Sequence, residues 1–482
     1  MGIRVKNTLT GKKEEFKPIK EGEVKIYLCG PTVYDDPHIG HLRSAYDFDV
    51  IRKYFIFRDY EVLFLRNVTD VDDKIIQKAK QLNSDNLLKA TREISEKYYN
   101  SYFLWMSKFG IASPDIEPWA TDHIFQMQNL IVRLIEKGYA YESGGDVYFS
   151  VRKFKSYGKL SGRSVDDMIV GSRVEPLETK NDLLDFAVWK KSKQDEPSWS
   201  SPWGEGRPGW HIECSAMSMF YFGESFDIHC GGRDLIFPHH ENEIAQAEAV
   251  TGKVFAKYWL HNGMLTINGE KMSKSLGNFV TVEDVLKKYH PDVVKLFFLS
   301  ANYDSPIDFT WERLEESKVA KERFDSFFSK VRNLKKSRHR EQENVFFEDF
   351  LKYELQVKNL NIKFIQAMDD DFNTALAVGV LYELLNLGNK IYQDEKLSFP
   401  QKVILLRKIE YFLLKSGTIF SLFTCDEIQS HDYSFMIQNI IKIREEIRDS
   451  KQFELADRIR DILQDVGIVI EDGKENSSWR KI

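Results

Sequence analysis

A single β-α-β pattern near the N-terminus restricts the fold of this chain more than any other feature. Glu23-Val24-Lys25-Ile26-Tyr27-Leu28-Cys29 alternates in the manner of a strand, and Gly30-Pro31-Thr32 breaks it. Asp36 followed by Pro37 is a helix start: an acceptor at the cap, then a proline whose missing N–H costs nothing there. The pattern predicts a helix to about Arg58, and Glu61-Val62-Leu63-Phe64-Leu65 reads as the next strand. Strand, crossover helix and strand together build a parallel, doubly wound sheet.

Further along, residues 75–108 and 120–137 read as helices. From Gly144 to about Trp203 the pattern loosens into short strand-like pieces and polar loops, an insertion between two halves of the sheet domain. Phe226-Asp227-Ile228-His229-Cys230 is a strand running into Gly231-Gly232, residues 239–250 are helical, and Trp259 to Leu265 returns to strand. Beyond about residue 312 one amphipathic helix follows another, and the C-terminal stretch from Ala456 to Trp479 pairs a helix with strand-like Ile468-Val469-Ile470.

With 482 residues the chain is too long for one simple core, so two to four domains are expected. No run of about 18 uncharged apolar residues is present, so no membrane association is expected. Met1 to Lys6 lacks the apolar stretch of a secretory signal, and Lys6 stands where a myristoylation motif has Ser or Thr. The scattered cysteines Cys29, Cys214, Cys230 and Cys425 suggest no disulfide framework, and a reducing cytoplasm is the simplest setting. The net charge of -6 argues against a nonspecific nucleic-acid coat but leaves room for a local basic surface. Lys330, Arg332, Lys335, Lys336, Arg338 and Arg340 form such a stretch without an acid, either a solvated helix face or an RNA phosphate contact.

Two short motifs suggest work on a nucleotide. In Pro37-His38-Ile39-Gly40-His41 the histidines stand at i and i+3 in a first helical turn, where free N–H groups and partial positive charge favour phosphate. Gly40 would leave backbone open to a flat ring; the alternative is a capped surface helix with two incidental histidines. In Lys271-Met272-Ser273-Lys274-Ser275 two lysines bracket small residues between Asn268-Gly269-Glu270 and Leu276-Gly277-Asn278. Such a loop can close over a pyrophosphate leaving group, or it is an exposed basic turn. Neither a Walker A sequence nor a Gly-rich dinucleotide fingerprint occurs.

A scattered metal set completes the pattern. Cys29 ends the first strand, Cys214 follows Pro208-Gly209-Trp210-His211-Ile212-Glu213, and His239 and Glu243 stand at i and i+4. Two thiolates, an imidazole and a carboxylate suit tetrahedral zinc. His240 is the rival ligand, and packing of the cysteines as small buried hydrophobes is the alternative to any metal.

The segments Leu28 to Tyr34, His38 to His41, Arg66-Asn67-Val68-Thr69-Asp70-Val71-Asp72-Asp73-Lys74, Pro208 to Met217, Phe226 to Glu243 and Lys271 to Asn278 together resemble cysteinyl-tRNA synthetases, of class I, in order over essentially the whole chain. The resemblance implies zinc, one per chain, on Cys29, Cys214, His239 and Glu243; catalytic roles for His38, His41, Lys271 and Lys274; ATP contacts from Thr32, His38, His41, Asp234 and Lys274; and Trp210 lining the amino-acid pocket. It implies ATP with magnesium, L-cysteine and the matching tRNA as partners, in a cytoplasmic enzyme expected to be monomeric. Cys230 stands where glycine is expected, putting a spare thiol near the site, and Lys295 stands where arginine is more usual. A hydrophobic pocket separates cysteine from serine by only about 1–3 kcal/mol. A thiolate–zinc bond selects sulfur directly, which removes the need for an editing site, and the region 144–203 is too short to hold one.

The expected fold is therefore a Rossmann-like parallel-sheet catalytic domain with an insertion, then a helical bundle and a small C-terminal anticodon-binding module. The expected boundaries are 1–115 and 206–270 for the two catalytic halves, 116–205 for the insertion, 271–320 for a linker with the lysine loop, 321–425 for the bundle and 426–482 for the last module. The closest rival, a ligase that joins cysteine to an amino-sugar thiol precursor without tRNA, does not call for the long helical region.

Overall fold

The structure is a computed structural model. It describes residues 2–82, 86–165, 180–193, 196–273, 277–336 and 347–423, and beyond them 441, 444–445, 447–448, 450, 453–465, 468–471 and 478–481. The chain divides into two compact units, 1–422 and 423–482.

The first unit is built on the predicted parallel sheet. Strand β1 (Glu23–Leu28) leads to helix α1 (Ile39–Phe57), which returns to β2 (Glu61–Arg66). Helix α2 (Trp210–Phe222), β3 (Phe226–Gly232), α3 (Glu241–Thr251) and β4 (Ala256–Asn262) form the second half. The strands lie in the order β4-β3-β1-β2, all parallel, with Tyr27 opposite His229 and Leu28 opposite Cys230. The connections leave in opposite directions from β1 and β3. That switch point opens a crevice beyond their carboxyl ends, and ligands bind in such crevices.

Three elements begin elsewhere than their sequence suggests. Helix α1 starts at Ile39 with His38 as its cap, not at Asp36-Pro37, because the His38 ring accepts the N–H groups of Gly40 and His41. The predicted helix 75–108 is two helices, Asp73–Lys80 and Leu87–Phe109, the second capped by the Asn86 side chain. Regular helix in α3 starts at Glu241, after a wider turn over Ile236–His240.

The insertion is more ordered than its loose pattern implies. Ala140–Ser143, Asp146–Phe149, Phe186–Lys191 and Gly206–Pro208 form an antiparallel sheet. It packs with helix Ile124–Glu136 around Val147, Phe149, Val188, Trp189 and Met217. A short N-terminal hairpin, Arg4–Asn7 with Lys12–Glu15, was not legible in its charged sequence. After β4, Leu265–Ile267 pairs with Glu270–Lys271 and with Ile307–Phe309. Helices Trp311–Lys336, Phe347–Asp369, Thr374–Gln393 and Phe399–Phe420 follow. The second unit holds helix Phe453–Asp465 and the hairpin Ile468–Glu471 with Ser478–Lys481, around Ile441, Leu463 and Ile470.

Candidate active site and metal centre

Four chain segments meet at the carboxyl end of β1. Cys29 follows that strand, and its N–H donates to Cys230 O at 3.1 Å, which holds the turn against β3. Gly30 must lack a side chain here, because a Cβ would stand 1.5 Å from the carbonyl oxygen of Asn67. Cys214 comes from the first turns of α2, and His239 and Glu243 from the start of α3.

The donor atoms lie where a tetrahedral ion would hold them. Cys29 Sγ is 3.6 Å from Cys214 Sγ and 3.6 Å from Glu243 Oε1; Cys214 Sγ is 3.5 Å from His239 Nε2, which is 3.1 Å from Glu243 Oε1. Bonds of about 2.3 Å to sulfur and about 2.0 Å to nitrogen or oxygen give tetrahedral edges of roughly 3.8 Å for S–S, 3.5 Å for mixed pairs and 3.3 Å for N–O. Cys214, His239 and Glu243 are buried. Burial pushes the Cys29 and Cys214 thiols and the Glu243 carboxyl up and His239 down, so all four favour their neutral forms until a cation offsets that cost. The donor set thus fits a divalent metal.

A histidine shell surrounds this cluster; of its members the sequence reading singled out only His240, as a rival ligand. His211 Nδ1 lies 2.9 Å from His239 Nδ1, and His229 Nε2 lies 2.8 Å from Glu243 Oε2. His240 Nε2 is 3.3 Å from Cys29 Sγ, while its Nδ1 faces His261 Nε2 at 2.8 Å, and His261 Nδ1 faces Thr8 Oγ1 at 2.8 Å. Burial lowers His211, His229 and His261 to about 3, so they act as neutral hydrogen-bonding groups. A second set, Cys29, His229, His240 and Glu243, also brings its donor atoms within 4.8 Å of one another. The available signal was the density of the residue type: five of the eleven histidines fall between 211 and 261. Trp210 stacks on His239 with ring centroids 4.1 Å apart and stays 38% exposed, so one side of the cluster meets a surface-reaching aromatic.

The Cys230 thiol does not face this cluster, although the Cys230 backbone bonds to Cys29. Tyr27 and His229 pair across β1 and β3 with rings 5.0 Å apart, on the face that carries the metal set. Leu28 and Cys230 are one residue on, so strand alternation turns the Cys230 thiol to the other face.

The histidine motif and the segment after the lysine motif are joined directly. Ile39 N–H donates to Val280 O at 3.1 Å and Val282 N–H to Pro37 O at 2.9 Å, and the Phe279 ring meets the His38 ring edge-on at 5.4 Å. The His38 and His41 rings stack with centroids 3.6 Å apart. Each Nδ1 accepts a backbone N–H, so in the neutral rings the proton sits on Nε2, a donor suited to phosphate. The Cβ position of Gly40 faces the His38 ring at 3.0 Å, so its missing side chain makes room for that ring. Asn278 ties the lysine loop: its Nδ2 donates to Lys271 O at 3.2 Å and its Oδ1 accepts Ser273 N–H at 2.8 Å. Lys274 lies outside the described residues. Thr32 bridges to Thr69 beside the Cys29 turn, and Asp234 stands in the short turn Arg233–Leu235 at the end of β3.

A family model described as the class I (C) tRNA synthetase catalytic domain matches residues 15–319, and a DALR domain model matches 363–424. Curated proteins named cysteine–tRNA ligase match end to end. That of Persephonella marina is 49% identical, and that of Thermococcus onnurineus 47%, each covering 100% of both chains. The chain belongs to the cysteine–tRNA ligase family. Among solved structures, Mycobacterium tuberculosis methionyl-tRNA synthetase with methionyl-adenylate is 16% identical, with a TM-score of 0.62 over 83% of this chain and 90% of its own. The LeuRS–tRNA–LeuAMS complex of Agrobacterium radiobacter is 12% identical, with a TM-score of 0.58 over 85% and 86%. These two likenesses establish the fold. In this member of the cysteine–tRNA ligase family Lys295 is fully buried, with its Nζ on Asp292 Oδ1 at 3.0 Å and Ser421 O at 2.6 Å. No helix among the described residues is long and apolar enough to cross a membrane.

Proposed function

We propose that the protein activates L-cysteine with ATP, releasing pyrophosphate, and transfers the cysteinyl group to the 3′ end of its tRNA. The observation that carries this reading is the four-donor cluster at the end of β1 in a chain that matches cysteine–tRNA ligases over its full length.

Cys29, Cys214, His239 and Glu243 would hold one zinc ion. When bound, the ion offers a soft Lewis acid that prefers a thiolate to a hydroxyl. Trp210 closes one side of the cysteine position. Around the metal ligands, His211 orients His239 through its ring nitrogen, and His229 occupies the second oxygen of Glu243. Thr32 and Asp234 flank the nucleotide position. His38 and His41 donate from Nε2 to a phosphate that gains charge, and Lys271 and Lys274 meet the departing pyrophosphate, with magnesium accompanying ATP. No covalent enzyme intermediate is needed, because positioning and charge stabilisation suffice.

The helices after about residue 321 and the module 426–482 would bind tRNA, the latter near the anticodon. The basic stretch at Lys330 supports a phosphate contact; its first part lies on helix Trp311–Lys336, and residues 337–340 lie outside those described. The protein would act as a cytoplasmic monomer, with the domain boundaries read from its sequence. Two assays test the function. Purified protein should exchange pyrophosphate into ATP with cysteine but not serine, and should acylate total tRNA with cysteine. Exchange that serine supports equally would refute zinc-based selection, and absence of tRNA acylation would refute the ligase reading.

A further inference from the structure

The helix that carries His38 and His41 also carries a cation that no step above uses. Arg43, two residues past His41, is 1% exposed. Its Nη1 donates to Gly263 O at 3.0 Å and Met264 O at 3.1 Å. Its Nη2 donates to Ser305 O at 2.6 Å and lies within reach of Tyr303 O at 3.3 Å and Asn302 O at 3.4 Å. Asp47 Oδ2, 3.3 Å from Nε, balances the charge. One guanidinium therefore gathers five backbone carbonyls from two segments far apart in sequence, which the three donors of a lysine could not do.

Those segments form the root of the lysine hairpin. Gly263 N–H donates to Tyr303 O at 2.7 Å and Ile307 N–H to Met264 O at 3.0 Å. A Cβ on Gly263 would stand 2.1 Å from Ser305 O, so the two backbones touch. From Met264 the chain enters Leu265–Ile267 and turns back through Glu270–Lys271. At the far end of the loop the backbone bonds of Ile39 and Val282 tie residues 280–282 to the start of α1. The loop is thus anchored to α1 at both ends, by backbone pairing after it and by the Arg43 guanidinium before it.

We propose that Arg43 is a positioning residue that fixes the lysine hairpin in register with His38 and His41. The inference rests on the ligase reading, in which those groups hold the two ends of the reacting phosphates. Arg43 itself touches no substrate position; it acts through Met264 and Lys271. A displacement of about 1 Å in such a pair costs up to about a hundredfold in rate.

The test uses full-length protein with Arg43→Lys and reads cysteine-dependent ATP–pyrophosphate exchange. The expected result is a fall in kcat of about tenfold or more, with the KM for cysteine and the metal content unchanged. The same change is then made in a Lys271→Ala/Lys274→Ala background. There its effect should shrink to less than about twofold, because a residue acting through the lysines loses its target when they are gone. An equal fall in both backgrounds would mean general damage to packing and would overturn the proposal. An unchanged kcat in the single variant would also overturn it. Should Arg43→Lys fail to fold, the double change Arg43→Gln/Asp47→Asn, which removes both charges of the buried pair and keeps amide donors, makes the same comparison. A parent protein without cysteine-dependent exchange would overturn the ligase reading itself; a parent that exchanges beside an equally fast variant overturns only the role of Arg43.

Discussion

His38 and His41 cap each other: Nδ1 of His38 accepts the backbone N–H of His41 at 3.3 Å, and Nδ1 of His41 accepts the backbone N–H of His38 at 3.4 Å. One nitrogen of each ring thereby accepts from the helix, and in the neutral ring the other carries the proton. The two roles separate by mutation. Asparagine is a strong helix cap, so His38→Asn should keep the thermal midpoint close to that of the parent while slowing adenylate formation about a hundredfold, the usual cost of one donor to developing charge. His38→Ala should lose the same rate and about 1 kcal/mol of stability as well. Thermal unfolding and single-turnover adenylate synthesis check both. A His38→Asn protein of full activity would remove the phosphate role.

His41 sets a pH dependence. Burial, helped by Lys74 and opposed by Asp35, lowers His41 from 6.5 to about 4. The unfolded chain therefore binds this proton more readily than the folded one. The contribution is complete above pH 6.5, is lost as the pH falls towards about 4, and changes no further below that. His41→Gln should flatten this part of the stability profile between pH 4 and 6.5 and leave stability at pH 7.5 to 8 without the same pH trend. Denaturant unfolding of parent and variant across that range is the measurement. Equal slopes in the two proteins would contradict the neutral state of half-buried His41.

One zinc per chain is expected in purified protein. Elemental analysis should show its loss in Cys214→Ser, with cysteine affinity falling in step. Gly30→Ala should reach the same end by another route, since its Cβ meets the Asn67 carbonyl and must displace the turn that presents Cys29. Removal of the ion by a chelator should lower the thermal midpoint, because a ligand bound only by the folded state stabilises it. Full metal content in Cys214→Ser would refute the ligand set.

Truncation locates the RNA surface. A chain ending at Leu422 keeps the whole first unit, including Ser421, whose hydroxyl and carbonyl hold Lys53 and Lys295, and Phe420, whose carbonyl accepts from Tyr46. It should retain cysteine-dependent exchange and charge tRNA poorly. Its residual RNA affinity should have a shallower salt slope, since fewer phosphates are contacted. Equal charging by truncated and full-length proteins would give residues 423–482 another purpose. Stopping near residue 420 instead should also destabilise the first unit, because the Lys53 and Lys295 partners go.

Local chemistry by itself determined much of this protein. The β-α-β unit and the long helices follow from periodicities of two and 3.6, which each segment carries alone. The cap at His38 was displaced by two residues because a histidine ring, not a standard capping side chain, satisfies the free N–H groups. The nearness of His38 to the lysine motif depends on the backbone pairing of residues 37–39 with 280–282, a contact without local signature. The metal set was legible as residue types at His239 and Glu243, yet sequence spacing could not exclude His240 or join Cys29 to Cys214. Only the adjacency of β1 and β3, with α2 and α3 packed above them, brings these donors within 4.8 Å of one another. The same pairing turned Cys230 away, because strand alternation assigns a face to each residue only after the register is set. The histidine shell and Arg43 were likewise decided by tertiary structure. A buried ring nitrogen or guanidinium is defined by its partners, and those partners lie dozens to hundreds of residues away.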